Sequence, residues 1–133
     1  IVVYLFSLII FPQFAILWLE NNEEVCSMPI DEIEVIKQKL VDQIKPIGVY
    51  LFGSFANGTA HADSDFDFYI IVDDSEKDLH AVATSAYKAI RGVKQRPVDI
   101  LVGTKSRFDE RKNQFTVENE VFHKGVLLYG SAS

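Results

Sequence analysis

A single cysteine, Cys26, among 133 residues excludes an intramolecular disulfide framework and a zinc site built on several thiolates. No Lys or Arg occurs before Lys37. The net charge is −6, from 19 acidic and 13 basic side chains, which argues against gripping a nucleic-acid backbone by charge alone. That balance still admits a small anionic ligand held through metal ions. There is no GxxxxGK[ST] or GxGxxG glycine motif, no internal repeat, no low-complexity tract and no linker that would divide the chain. With 48% hydrophobic and 24% charged residues the chain has the makings of a core, and its length suits one domain.

Residues 1–19, IVVYLFSLIIFPQFAILWL, carry no charge, a length that just spans a bilayer. Pro12 and Gln13 interrupt the run, no Lys or Arg flanks it to set an orientation, and neither a basic start nor a small-residue cleavage site marks it as a secretory signal. The chain begins with Ile and its first Met is Met28. The expected division is therefore an apolar extension over 1–27, upstream or fragmentary sequence, and a domain over 28–133 starting at Met28. A membrane anchor, or a segment packed on the domain or a partner, remains an alternative for 1–27. Glu20, Glu23 and Glu24 are the only charged residues before Met28, so the domain itself carries −3.

From Met28 onward the pattern alternates. Asp31 and Glu34 form a capping-box-like pair ahead of a helical stripe of Ile33, Ile36, Leu40, Val41 and Ile44, and Pro46 stops it. Residues 47–52 read as a buried strand and 53–64 as a loop, with room for a short helix. Residues 65–73, DFDFYIIVD, read as a second strand. Residues 76–91 place Leu79, Val82, Ala83, Ala86, Tyr87 and Ile90 on one helical face. Residues 96–102 read as a third strand, 104–124 as polar and partly helical, and 126–129 as a short last strand. The order predicts an α/β (α+β) fold, a mixed sheet of about four strands with flanking helices.

The chemistry gathers where strands meet loops. Asp65 and Asp67 are one residue apart on a strand, so they share a face with Cα atoms about 6.6 Å apart. Phe66, Phe68, Ile70 and Val72 then point the other way, into a core. Two such carboxylates repel each other unless a cation lies between them, and a hard divalent ion with oxygen ligands suits the position. Asp99, between Val98 and Ile100, reads as an acid in a buried strand; beside the second strand it completes a three-carboxylate cluster able to hold Mg²⁺ on substrate phosphates. Gly53-Ser54 directly follows the first strand, where a glycine permits a tight turn and the Ser hydroxyl and nearby N–H groups can meet a phosphate.

Other readings of these and nearby residues are plainer. The stretch from Asp63 fails as a calcium loop, because Phe68 and Asp74 stand where an EF-hand needs Gly and Glu. Asp63 reads as a turn residue, and Asp99 has a structural alternative in pairing with Arg96 or a Lys. His61, His80 and His123 lack metal-site spacing; His61 lies in the loop near the motif, a loop residue first and a phosphate contact second.

Gly53-Ser54, ten residues, Asp65-Phe66-Asp67, then Asp99 on a later strand resembles the nucleotidyltransferase superfamily that includes DNA polymerase beta. LFGSFANGTAHADSDFDFYIIV and the terminal GVLLYG resemble its minimal nucleotidyltransferase (MNT) branch, over about residues 28–130. The resemblance implies a nucleoside triphosphate, ATP, bound with two Mg²⁺ ions, and nucleotidyl transfer to a hydroxyl. It assigns metal ligation to Asp65, Asp67 and Asp99, help with deprotonating the acceptor to Asp99, and triphosphate binding to Gly53 and Ser54. Members of the branch often carry Arg soon after Gly-Ser, where this chain has Phe55 and Asn57. Lys105, Arg107, Arg111 and Lys112 read as a solvated face rather than as replacements.

Small stand-alone members of the branch resemble antitoxins paired with a HEPN-domain protein, to which they can transfer AMP. The expectation is thus a cytoplasmic, Mg-dependent adenylyltransferase with a HEPN partner, without direct nucleic-acid binding, and without membrane attachment unless residues 1–19 are native. The alternatives are a partner-binding module with a vestigial acid cluster, and an enzyme with a small-molecule acceptor such as an aminoglycoside.

Overall fold

A computed structural model describes residues 29–131. The apolar first segment, Cys26 and the Met28 start lie outside the described residues. Among the described residues no helix is long and apolar enough to cross a membrane.

The elements run α1 (Ile30–Ile44), β1 (Gly48–Phe52), α2 (Ser54–Asn57), β2 (Phe66–Val72), α3 (Leu79–Ile90), β3 (Val98–Thr104), α4 (Lys105–Arg111), α5 (Val117–Lys124) and β4 (Val126–Gly130). The four strands form one mixed sheet in the order β3-β2-β1-β4. β1 is antiparallel to β2 and β4, while β2 and β3 are parallel and joined through α3, as a parallel pair requires a long crossover. The predicted class and strand number are those observed.

Strand alternation divides the interior in two. Val49, Leu51, Phe66, Phe68, Ile70, Val72, Val98 and Ile100 face the layer holding Ile33, Ile36, Leu40, Phe55, Ala86 and Ile90 from α1, α2 and α3. Tyr50, Phe52, Tyr69 and Ile71 face the opposite layer, where Phe108 of α4 and Val121 of α5 cover them. The apolar stripes predicted for the first and third helices thus lie on the sheet, except that Tyr87 is 40% exposed, and the four predicted core residues of the second strand all point to the first layer.

Local details differ from expectation. α1 starts two residues early with Pro29 at its cap position, so Asp31 lies in the first turn, where a negative charge meets the positive end of the helix dipole. Glu34 pairs with Lys37 instead of reaching back to a cap. Asp65 precedes β2 rather than opening it. Asp99 is exposed, not buried: β3 is an edge strand, and the side of it that carries Asp99 and Leu101 is left open.

The α4–α5 layer contains one buried carboxylate, Glu118, only 2% exposed. It accepts from the Tyr69 hydroxyl at 3.1 Å and from Arg111 Nε at 3.1 Å, and pairs with Arg107 at 3.6 Å. Burial alone pushes the Glu118 carboxyl up, but its own backbone N–H, Arg111, Tyr69 and Thr116 outweigh that and hold it below the usual range. Gly103 leaves room for the tyrosine, since a Cβ there would lie 2.1 Å from the Tyr69 hydroxyl. Thermal unfolding checks the network. Glu118→Ala is expected to cost about 3 kcal/mol by stranding buried polar partners, whereas Arg107→Ala, at a half-exposed side chain, should cost less than about 1 kcal/mol.

Candidate functional site

The site forms where β1 turns into α2 against the start of β2. Gly53 closes β1 with φ +72° and ψ −151°, a combination essentially confined to glycine. The register sets Phe52 opposite Asp67, which brings the Asp67 carboxylate onto the glycine. A Cβ on Gly53 would lie 2.3 Å from Asp67 Oδ2. The glycine expected to clear space for a ligand clears space for an acid.

Ser54 follows as the first residue of α2, whose turn closes through Asn57 N–H to Gly53 O at 3.0 Å and Thr59 N–H to Ser54 O at 3.0 Å. Beside it opens a cleft of about 420 Å³, lined by the hydroxyls of Ser54, Thr59 and Ser64, the carboxylates of Asp63, Asp65 and Asp67, and His61. Ser54, Asp65 and Asp67 are thus gathered on one cleft. Asp63, expected to be a turn residue, lines it as well.

Asp99 stands directly beside Asp67 in the parallel β2–β3 register, though outside the cleft lining. Its expected alternative partner, Arg96, is engaged elsewhere: Nε pairs with Glu32 at 3.3 Å, an NH₂ group donates to Ser64 O at 3.4 Å, and the guanidinium lies over the rings of Phe55 and Phe66 at 5.1 and 4.7 Å. The cations of α4, and Lys112 at its C-cap, are also committed. Lys105 and Lys112 pair with Asp109, and Arg107 and Arg111 with Glu118. They do not form the simple solvated face expected: Arg107 and Arg111 reach the buried Glu118, and Lys105 and Lys112 are only partly exposed.

The Asp67 carboxyl is pushed up to about 6, first by burial and then by the negative charges of Asp99, Asp65 and Glu120. Glu120, on α5, is the acid that sequence reasoning missed; it lies 53 residues from Asp67, in a stretch read only as polar, and nothing in its spacing ties it to the motif. No ion pair among the described residues involves Asp65, Asp67, Asp99 or Glu120.

This environment fits a divalent cation by its donor chemistry: hard oxygens, like charges in mutual range and no protein cation between them. Among the described residues no three acidic, His or Cys side chains are arranged to hold one metal ion by themselves. Mg²⁺ commonly takes one or two carboxylates and completes its shell with water and substrate phosphates, so an open set of this kind is compatible with it.

A family model described as "Nucleotidyltransferase domain" matches residues 33–131. Among solved structures, a mutant of the toxin–antitoxin MntA–HpeT is 27% identical, covers 74% of this chain and 72% of its own, and superposes with a TM-score of 0.54. A toxin–antitoxin structure with AMP-PNP is 28% identical over 76% of this chain and 74% of its own, with a TM-score of 0.49. A putative nucleotidyltransferase from Sulfolobus solfataricus is 19% identical over 82% of this chain and 93% of its own, also at 0.49. No functionally curated protein matches the chain.

Two stability measurements follow from the geometry. Gly53→Ala should cost about 2 kcal/mol, from the backbone conformation and the collision with Asp67. Asp67→Asn should do the opposite in metal-free protein. The native carboxyl near 6 lies above its unfolded value of 3.8, so ionisation opposes folding increasingly as pH rises through that window, fully above it, and not at all below about pH 4. Asp67→Asn is therefore expected to gain about 1 kcal/mol at pH 7.5 after solvent screening, and nothing at pH 3.5, as read by melting temperature.

Proposed function

Since the chain belongs to the nucleotidyltransferase domain family, matched over residues 33–131, we propose that it transfers AMP from ATP to a hydroxyl on a partner protein. The observation that carries this reading is the Asp67 carboxylate set on Gly53 beside Ser54, with Asp65 on the same cleft and Asp99 alongside.

In this reading Asp65, Asp67 and Asp99 hold Mg²⁺, two ions by the family resemblance. Bound there, Mg²⁺ supplies charge neutralisation and Lewis acidity at the phosphate oxygens. Gly53 lets the triphosphate approach the backbone, and the Ser54 hydroxyl donates to a phosphate oxygen. Asp99, exposed at the sheet edge, accepts the proton of the incoming hydroxyl. That oxygen bonds to the α-phosphorus, the bond from the α-phosphorus to the bridging oxygen breaks, and pyrophosphate leaves. The contribution of the chain is positioning and electrostatics, which supply most of the catalysis of phosphoryl-type transfers.

The proposed partner is a HEPN-domain toxin. The resemblance to MNT antitoxins supports it, as does the likeness to MntA–HpeT, described as a toxin–antitoxin. ATP and Mg²⁺ are both plentiful in the cytoplasm, which is the proposed location. The Phe55 side chain is buried against Phe66, away from solvent, and supplies the cleft no cation.

The test uses ATP labelled at the α-phosphate, Mg²⁺, the full chain and a HEPN-domain protein partner. The expected result is a labelled partner band that Asp67→Asn reduces at least about 100-fold. Label appearing in a small-molecule fraction instead would move the acceptor to that class. No transfer by folded wild-type protein to either class would overturn the enzymatic reading.

A further inference from the structure

We infer that His61 is a triphosphate-binding residue of this cleft, the nitrogen donor that serves where Asn57 provides no cation. The inference rests on the nucleotide reading above and adds a residue to it.

The lining of the cleft is three carboxylates, three hydroxyls and His61. Among the described side chains that line it, His61 is the one nitrogen group beside carboxylates and hydroxyls. Metal ions neutralise the phosphate oxygens they touch, but a triphosphate has more non-bridging oxygens than the ions can cover. The Lys and Arg side chains of α4 are tied to Asp109 and Glu118, and Arg96 is tied to Glu32 and Ser64. Among the side chains lining the cleft, His61 is the one that donates from a nitrogen.

Its placement is built rather than incidental. The His61 N–H donates to Ser64 Oγ at 2.8 Å, and the Ser64 N–H returns to His61 O at 3.0 Å, closing a tight turn. Within that turn the Asp63 N–H donates to His61 Nδ1 at 3.3 Å. With Nδ1 accepting, the neutral ring carries its proton on Nε2, and Nε2–H has no partner among the described residues. Arg96 anchors the carbonyl of Ser64, so the turn is also fastened to the body of the domain. The ring is thus oriented by its own loop with one donor left over, on a cleft whose charged side chains are carboxylates.

The experiment compares the full-length wild type with His61→Ala and His61→Gln. Nucleotide binding is measured with ATP and Mg²⁺, transfer kinetics with the labelled-ATP assay, and metal binding without nucleotide by titration of Mn²⁺. Loss of one charge-assisted hydrogen bond predicts about a tenfold rise in Kd and in the KM for ATP for His61→Ala, with kcat changed less than about threefold. His61→Gln, which keeps an N–H donor, should recover part of the loss. Mn²⁺ affinity and melting temperature should stay at wild-type values. Unchanged ATP affinity in His61→Ala, while Asp67→Asn still abolishes transfer, overturns the role of His61 and leaves the enzymatic reading intact. An equal loss of Mn²⁺ affinity would also overturn it, making His61 a support for the Asp65 loop. Absence of ATP binding by the wild type would sink both.

Discussion

The site depends on one close approach, an aspartate carboxylate lying on a residue with no side chain. Gly53 has a backbone conformation that other residues avoid, and it has no Cβ where Asp67 Oδ2 needs the space. The approach follows from strand register: β1 and β2 are antiparallel, Phe52 faces Asp67, and the next residue of β1 must turn away beneath the acid. Once that register is set, the parallel pairing of β2 with β3 brings Asp99 alongside. Packing α5 on the same face brings Glu120 into electrostatic range. The molecule thus holds several negative charges together against their repulsion, and the strong side-chain packing on the opposite face of β2 makes that arrangement tolerable.

Arg96 supports this edge from below. It lies over Phe55 and Phe66, pairs with Glu32 of α1 and holds the carbonyl of Ser64, the residue before Asp65. One guanidinium therefore links the first helix, the short helix after Gly53, the start of β2 and the loop that lines the cleft. A planar group able to stack and to donate in several directions suits this position, and a lysine would replace only part of it. Phe55, where the family resemblance anticipates a cation nearby, is half of this stack.

Much of this was legible from residue order. The alternation of Phe66, Phe68, Ile70 and Val72 with Asp67 fixes which face of β2 meets the core, because strand period is a local property. The helical stripes of α1 and α3 are local for the same reason, and the spacing from Gly53-Ser54 to Asp65-Phe66-Asp67 carries the family resemblance. What was not legible depends on tertiary placement. Val98-Asp99-Ile100 looks like a buried run, yet β3 lies at the sheet edge and α4 and α5 cover only the strands further in, so Asp99 is exposed. Glu120 and Glu118 are two positions apart on a short polar helix. One nears the site and the other is buried under Tyr69, a difference that arises from how α5 packs and not from its composition.

The exposure of Asp99 bears on what kind of acceptor the site can serve. A cleft closed on all sides would have to be filled by a small molecule, with the residues that recognise it present in the same chain. Here the proposed proton acceptor lies on an edge strand, next to Leu101, which is 41% exposed, on a sheet face that α4 and α5 leave open. The proposed nucleotide side consists of Gly53, Ser54 and the cleft-lining acids. Among the described residues, the proposed acceptor side is an open edge with little to orient a small hydroxyl compound. A hydroxyl delivered on a folded surface brings its own orientation and excludes water from the edge as it docks, which are the two things the exposed half of the site lacks. That asymmetry favours a macromolecular acceptor over an aminoglycoside-sized one, and it does so from the position of one carboxylate in the sheet.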